Sequence, residues 1–371
     1  MRLETMAQTL IVTTKKKFDL GEFDEPEPVC RDDEKLRWST EDPDLVLSDW
    51  KIEISIRDDT DSPDAAPVTK PHKGDDAAEP VVASSKATYY VHRTVLAAGA
   101  RKSTYFERLI KQSKEHPEVF QSTSKIDLAP EAAKSFPSML NFMYFEENWQ
   151  RSDKDLVMLR YLANYFGIRP MFESATEHLQ QDLNEHNAID YMLRAARCTD
   201  GKVLSAATHV CAGNIEFNYK EIGKLTFDQM KAVLTSESYK PICSYSSAAV
   251  ANFCVAHPGL EREQVLFLTD HNRFMKGYFS NYWFCLTFLW LAIKYKLNDN
   301  LAGLDLTLKD LAIRSAAFNR QRWYPGEKFE TFFKKVKESR YYEPLPADVK
   351  VELLEACLSS EKIEPLDPSE T

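Results

Sequence analysis

The apolar residues of the chain follow two different periods. Between positions 50 and 56, Trp50, Ile52, Ile54 and Ile56 alternate with Lys51, Glu53 and Ser55. A period of two buries one face and wets the other, which predicts a strand. The short apolar run Leu45-Val46-Leu47 lies just before it. It predicts a partner strand, joined through a tight turn at Ser48-Asp49. The pattern resumes at Thr88-Tyr89-Tyr90-Val91, and Lys125-Ile126-Asp127-Leu128 predicts one more short strand.

From Thr94 onward the period becomes helical. Val95 to Ala98 opens a helix that Gly99 ends, and Ser103 caps the next, with Tyr105, Phe106, Leu109 and Ile110 on its inner face. A helix from Pro130 carries Phe136, Met139, Leu140, Met143 and Tyr144. Another runs through Leu156, Leu159, Leu162 and Phe166, with Gly167 at the place of a left-handed C-terminal glycine. Beyond His186 every segment reads as helix. Stripes fall at Ile189, Met192, Leu193 and Ala196, then at Leu204, Ala207, Cys211 and Ile215. Thr226 caps a helix bearing Met230, Val233 and Leu234, and Ala249, Phe253 and Val255 mark another. The run from Trp283 to Lys294 is apolar all round, which predicts a helix buried between others. Leu304, Leu308 and Leu311 give an i, i+4, i+7 stripe. Phe329, Phe332, Phe333 and Val336 follow, then Val349, Leu353 and Ala356. Successive helices with short loops predict a stacked α-helical array, without a fixed repeat length.

Two stretches have too little to bury. Residues 1–41 read as a solvated arm, in which Thr9 to Thr14 is a short strand candidate. Its Lys15-Lys16-Lys17 and Asp24-Glu25-Pro26-Glu27-Pro28 are charge runs. Residues 57–86 are rich in Asp, Pro, Ala, Ser and Lys. They read as a disordered insertion in the sheet, which costs closure entropy only logarithmically.

Composition narrows the function. Only 11 of 371 residues are Gly, which leaves little room for phosphate-cradling loops or a turn-rich all-β fold. With 57 acidic and 47 basic residues the net charge is −10, unfavourable for non-specific binding to nucleic acid or an anionic membrane. No apolar run reaches the roughly 20 residues of a membrane span, and no secretory signal is expected. Seven scattered cysteines without a C-x-x-C fit a reducing compartment, so a cytoplasmic or nuclear location is expected.

Five motifs occur in an order that resembles the BTB/POZ domain over 42–183. They are Asp44-Leu45-Val46-Leu47, His92-Arg93-Thr94-Val95-Leu96-Ala97-Ala98, Ser103-Thr104-Tyr105-Phe106, Ile126-Asp127-Leu128 with Phe142-Met143-Tyr144, and Leu159 through Gly167. Residues 184–275 resemble the BACK helical domain, through Asn187 to Ala196, Ile215-Glu216-Phe217 and Phe227 to Leu234. Residues 276–371 continue as helices of no assigned family. The expected fold is thus an α+β BTB/POZ domain, a small sheet plus helices, followed by an all-α region.

The resemblance implies a homodimer whose interface buries a charged pair, carried over here to Asp44 and Arg93. It also implies a non-enzymatic adaptor that brings a substrate protein, held by the helical region, to a cullin-RING ubiquitin ligase. The alternative is a scaffold or transcription co-regulator that binds no cullin. Family members that bind cullin carry an apolar-x-Glu triplet after the helix that starts here at Ser103. Residues 109–118, Leu-Ile-Lys-Gln-Ser-Lys-Glu-His-Pro-Glu, lack it. The surface expected to meet a cullin is Tyr105, Leu109, Ile110 and Phe120. Phe120 has a second reading, packing beneath the strand at Ile126.

Catalytic and metal readings are weaker than their structural counterparts. His92 has no second ligand at metal spacing and reads as a hydrogen-bonded core residue. His209-Val210-Cys211 and Cys254-Val255-Ala256-His257 lack the four-ligand pattern of a structural zinc site, and both cysteines lie on apolar stripes. No G-x-S-x-G, phosphate loop or H-E-x-x-H occurs. No catalytic residue, metal or cofactor is therefore expected. Glu146-Glu147 read as solvated. Tyr341-Tyr342, with Arg322-Trp323-Tyr324, read either as a recognition surface or as satellite core.

Overall fold

The structure, a computed structural model, describes residues 36–56, 86–115, 122–145, 156–241, 243–270, 279, 281–301, 304–324 and 327–359. The Thr9–Thr14 strand, the lysine run, residues 57–85 of the insertion read over 57–86, Phe120 and Glu146-Glu147 lie outside the described residues, and Lys86, read as the end of that insertion, instead begins a strand.

Three strands form one sheet. β1 (Trp50–Ile56) is central, paired antiparallel with β2 (Lys86–Val91) and parallel with β3 (Thr123–Leu128). Alternation in β1 buries Trp50, Ile52 and Ile54 against the helices. Lys51 and Glu53, two apart on the other face, pair at 2.6 Å. The predicted strand at Leu45 to Leu47 does not form. Asp44–Val46 is a single 3-10 turn instead, closed by Leu47 in the left-handed region at φ 51°. Both edges of β1 are already taken by β2 and β3, so this run cannot pair with β1 through a tight turn.

Helices α1 (Arg93–Ala97), α2 (Thr104–Glu115), α3 (Pro130–Tyr144) and α4 (Leu156–Phe166) cover the sheet. Their shared core holds Phe106, Phe136 and Phe166, with ring centroids 5.3 and 5.6 Å apart. Ser103 accepts the Phe106 N–H at 3.1 Å and so caps α2 as expected. Gly167 ends α4 at φ +64°, and the start of α2 leaves no space for a side chain there. A Cβ would lie 1.9 Å from Thr104 Oγ1.

An α-helical array follows. Its first members are α5 (Arg169–Asp182), α6 (Ala188–Arg197), α7 (Gly201–Gly213), α8 (Ile215–Asn218), α9 (Phe227–Thr235), α10 (Cys243–Ala256) and α11 (Arg262–Leu268). Then come α12 (Tyr282–Tyr295), α13 (Leu308–Trp323), α14 (Phe329–Lys337) and α15 (Ala347–Leu358). One apolar cluster runs through the array from Leu179 to Cys357, so helices on both sides of residue 275 share it. Thr226 and Gln229 form a reciprocal capping box at α9. α12 is buried on most sides, as its all-apolar run predicts, with Leu286, Phe288, Leu289 and Leu291 inside. The stripe at Leu304 is corrected. Thr307 accepts the Asp310 N–H while the Asp310 carboxylate accepts the Thr307 N–H, so the helix starts at Leu308 and Leu304 precedes it.

Among the described residues no helix is long and apolar enough to cross a membrane.

Candidate partner-binding surfaces

The residues singled out in the BTB-like part fall into two places. The first is the lower end of β1, where the chain turns from His92 into α1. His92 is buried, and its ring spends both nitrogens on neutral oxygens. Nε2 lies 2.7 Å from the Val46 carbonyl and Nδ1 lies 3.0 Å from the Tyr144 hydroxyl. A carbonyl can only accept, so Nε2 donates to Val46, and both ring nitrogens are engaged within the protein. The same hydroxyl accepts the His92 N–H at 2.8 Å. Burial pushes the Tyr144 phenol well above its ordinary value.

Arg93, the next residue, points the other way. The structure does not bring it to Asp44, which is exposed and lies in the 3-10 turn. The carboxylate beside Arg93 is Asp49. Its Oδ1 accepts the Arg93 N–H at 2.8 Å, and its Oδ2 lies 3.9 Å from Arg93 Nε. The guanidinium also donates to the Asp49 carbonyl at 3.2 Å and to Ser122 Oγ at 2.6 Å, and it lies 4.7 Å from the centre of the Trp50 ring. The contact with Asp49 within the chain has a topological cause. Asp49 directly precedes β1, whose partner Val91 ends β2 one residue before His92, so the pairing register carries Asp49 to the start of α1. Asp44 sits on the far side of a turn that breaks this register. The side chains of Asp49 and Arg93 remain 53% and 30% exposed, so the pair is open to a partner.

The second place is the outer side of α2 and α4. Of the residues expected to meet a cullin, Ile110 is not available. It is a core residue, because its position faces the sheet in the same stripe as Phe106. Leu109 is half-buried against the same core, and Tyr105 is half-buried between Phe106 and Phe166. Tyr105 is instead one end of an aromatic strip that the sequence reading missed. Its ring lies 6.0 Å from Tyr165, which lies 6.2 Å from Tyr161. Tyr165 is 44% exposed. Positions 161 and 165 are one helical turn apart, and that spacing was legible. Their facing Tyr105 was not, because it depends on how α2 packs on α4.

The strip ends in a cleft of about 520 Å³ between α4, α5 and the turn leading into α7. Tyr161, Asn164, Phe172, Thr199 and Lys202 line it, and at its floor Arg160 pairs with Asp200. Arg160 is only 7% exposed. Its Nε donates to Thr176 at 2.9 Å and its guanidinium lies over Phe172 at 4.3 Å. Asp200 also accepts the Val203 N–H at 3.2 Å and so caps α7. An arginine within the apolar run from Leu156 to Ala163 was the available signal, since a buried charge must find a partner. α4 thereby belongs to both parts of the chain. Leu156 and Val157 enter the core of the array, and Leu159, Leu162 and Phe166 that of the sheet.

The cysteines have a structural setting. Cys211 and Cys254 are buried in apolar surroundings, and burial pushes both thiols up to about 12. His209 and His257 do not join them in a metal cluster. Among the described residues no group of three or more His, Cys, Asp or Glu is placed to hold an ion. The pair read two ways at 341–342 divides: Tyr342 is core, and Tyr341 lies half-open on the Trp290 ring.

Residues 73–183 match the family model of the BTB/POZ domain, and the chain carries that domain. The matched span begins in the segment between β1 and β2, and so leaves out β1, the central strand of the sheet. Comparison of the chain with curated proteins gave no match.

Proposed function

From the BTB/POZ domain at 73–183, a module through which proteins bind themselves and one another, we propose that this chain is a non-enzymatic adaptor. In this reading its BTB domain pairs with a second copy, its BACK-like helices and those beyond hold a substrate protein, and a cullin-RING ubiquitin ligase docks on the BTB side. The observation that carries the cullin step is the tyrosine strip from Tyr105 through Tyr165 to Tyr161, leading into the junction cleft. Half-open tyrosines supply large contact area at low entropy cost, and such residues dominate binding energy where they fill a partner's pocket. In the dimer reading the charged pair at the seam is Asp49 with Arg93, partly open in the single chain and buried in the pair.

The test is a titration of the full chain with a cullin N-terminal domain, together with sedimentation. The expected results are a dimer mass and a loss of cullin affinity of about tenfold or more in Tyr165→Ala at unchanged melting temperature. A second reading, a scaffold or transcription co-regulator without cullin, is favoured by the missing apolar-x-Glu triplet in 109–118. It takes over if the unmutated chain fails to bind cullin at about 50 μM.

A further inference from the structure

Four cations gather around Tyr341 and Tyr342 from separate elements. Lys294 is in the last turn of α12 and lies 4.8 Å from the centre of the Trp290 ring. Lys337 ends α14 and lies 4.3 Å from Phe333. Arg340, in the turn after α14, lies 4.9 Å from Tyr341. Lys350, in α15, lies 5.2 Å from Tyr342. The rings link the cations in two sets, Lys294 with Arg340 through Trp290 and Tyr341 at 5.3 Å, and Lys337 with Lys350 through Phe333 and Tyr342 at 5.8 Å, and the two tyrosines are consecutive in the chain.

The polar contacts of these cations are all to neutral oxygens. Lys294 donates to the Pro258 carbonyl at 2.9 Å, Lys350 to the Glu343 carbonyl at 2.7 Å, and Arg340 to the Tyr341 hydroxyl at 2.6 Å. Among the described residues none of the four forms an ion pair. Nearby lysines do: Lys309 meets Glu352 at 2.7 Å and Lys335 meets Glu327 at 2.9 Å. Glu338 and Glu343, in the same turn, are exposed. Lys337 also gains from the negative end of the α14 dipole, which explains its place in a last turn. That explanation does not extend to Arg340 and Lys350, which lie outside the last turn of any helix.

Rings and carbonyls hold these head groups in place without cancelling their charge. The rotamer entropy of long cationic side chains is then largely spent before any ligand arrives, and preorganisation of this kind raises affinity. The four cations outnumber Glu338 and Glu343 of the same turn, and the −10 of the whole chain opposes the long-range approach of an extended polyanion more than that of a short acidic segment.

We propose that this surface binds an acidic segment of another protein, a run of Asp and Glu with one aromatic residue to lie against Tyr341 and Trp290. The proposal rests on the reading that the helical array holds a partner, and is independent of the cullin and dimer steps. The test is fluorescence anisotropy of the full chain with a labelled Asp/Glu peptide of about twelve residues containing one Trp. Saturable binding that weakens with added salt is expected. Arg340→Gln with Lys350→Gln, both outside the last turn of any helix, should weaken it by about tenfold or more, with circular dichroism showing the chain still folded. Arg169→Glu, on the exposed side of α5, should leave it unchanged. No saturation below about 1 mM peptide overturns the proposal. So does equal binding by the double variant, or tighter binding of single-stranded RNA of the same length. If the peptide fails while the array still captures a protein partner, this inference falls and the adaptor reading stands.

Discussion

His92 and Arg93 are adjacent in the chain and have opposite surroundings. The imidazole is enclosed by Val46 and Tyr144, and the guanidinium reaches outward to Asp49, Ser122 and the Trp50 ring. Asp49→Ala removes the acceptor of the Arg93 N–H and should cost about 1 kcal/mol in urea denaturation. Asp44→Ala, at an exposed turn, should stay within about 0.5 kcal/mol. The thiols make a second prediction. Burial pushes Cys198 up to about 11 and Cys211, Cys254 and Cys357 to about 12 from an ordinary 9.0. Between those limits the unfolded chain has lost thiol protons that the native chain still holds. Stability is therefore complete below pH 9 and falls as pH rises toward 12. The slope is at most about 1.4 kcal/mol per pH unit for each such thiol. Denaturant midpoints at pH 8, 9.5 and 10.5 should decline in that order.

Among the elements, α4 has the most demands on it. It packs in the core of the sheet, enters the core of the array, presents Tyr161 and Tyr165 outward and carries Arg160 to Asp200. Asp200 has two tasks, pairing with Arg160 and capping α7, and two substitutions separate them. Asp200→Asn keeps a capping oxygen but strands the Arg160 charge, with an expected cost of about 3 kcal/mol. Asp200→Ala loses the cap as well and should cost about 1 kcal/mol more. Equal losses in chemical denaturation would mean that the cap contributes nothing. Helix existence was readable from apolar spacing across nearly all of this region, because stripes such as Met230, Val233 and Leu234 need only a local period. The 3-10 turn at Asp44–Val46 was not readable, since a short apolar run pairs with the next strand only if that strand's edges are not taken by segments farther along the chain.

For the whole molecule, two apolar clusters joined through one helix should unfold together. The chain is expected to melt in a single transition with coincident fluorescence and circular dichroism. Asp200→Asn, by loosening the joint, should separate the two probes. Two transitions in the unmutated chain would show that α4 does not couple the cores. Local order in the residues was enough to indicate the α+β start, the helical remainder, the BTB/POZ resemblance and the core roles of His92, Cys211 and Cys254. Each of these depends on periodicity, on a short motif or on the chemistry of a single side chain. Three features depended on contacts between segments far apart in the chain. Asp49 rather than Asp44 meets Arg93 through strand register. Tyr105 meets Tyr165 because α2 packs on α4. The cations around Tyr341 come together from α12, α14 and α15. Period and propensity act over a few residues, whereas these neighbours are set by how whole elements pack, and only the folded chain specifies that.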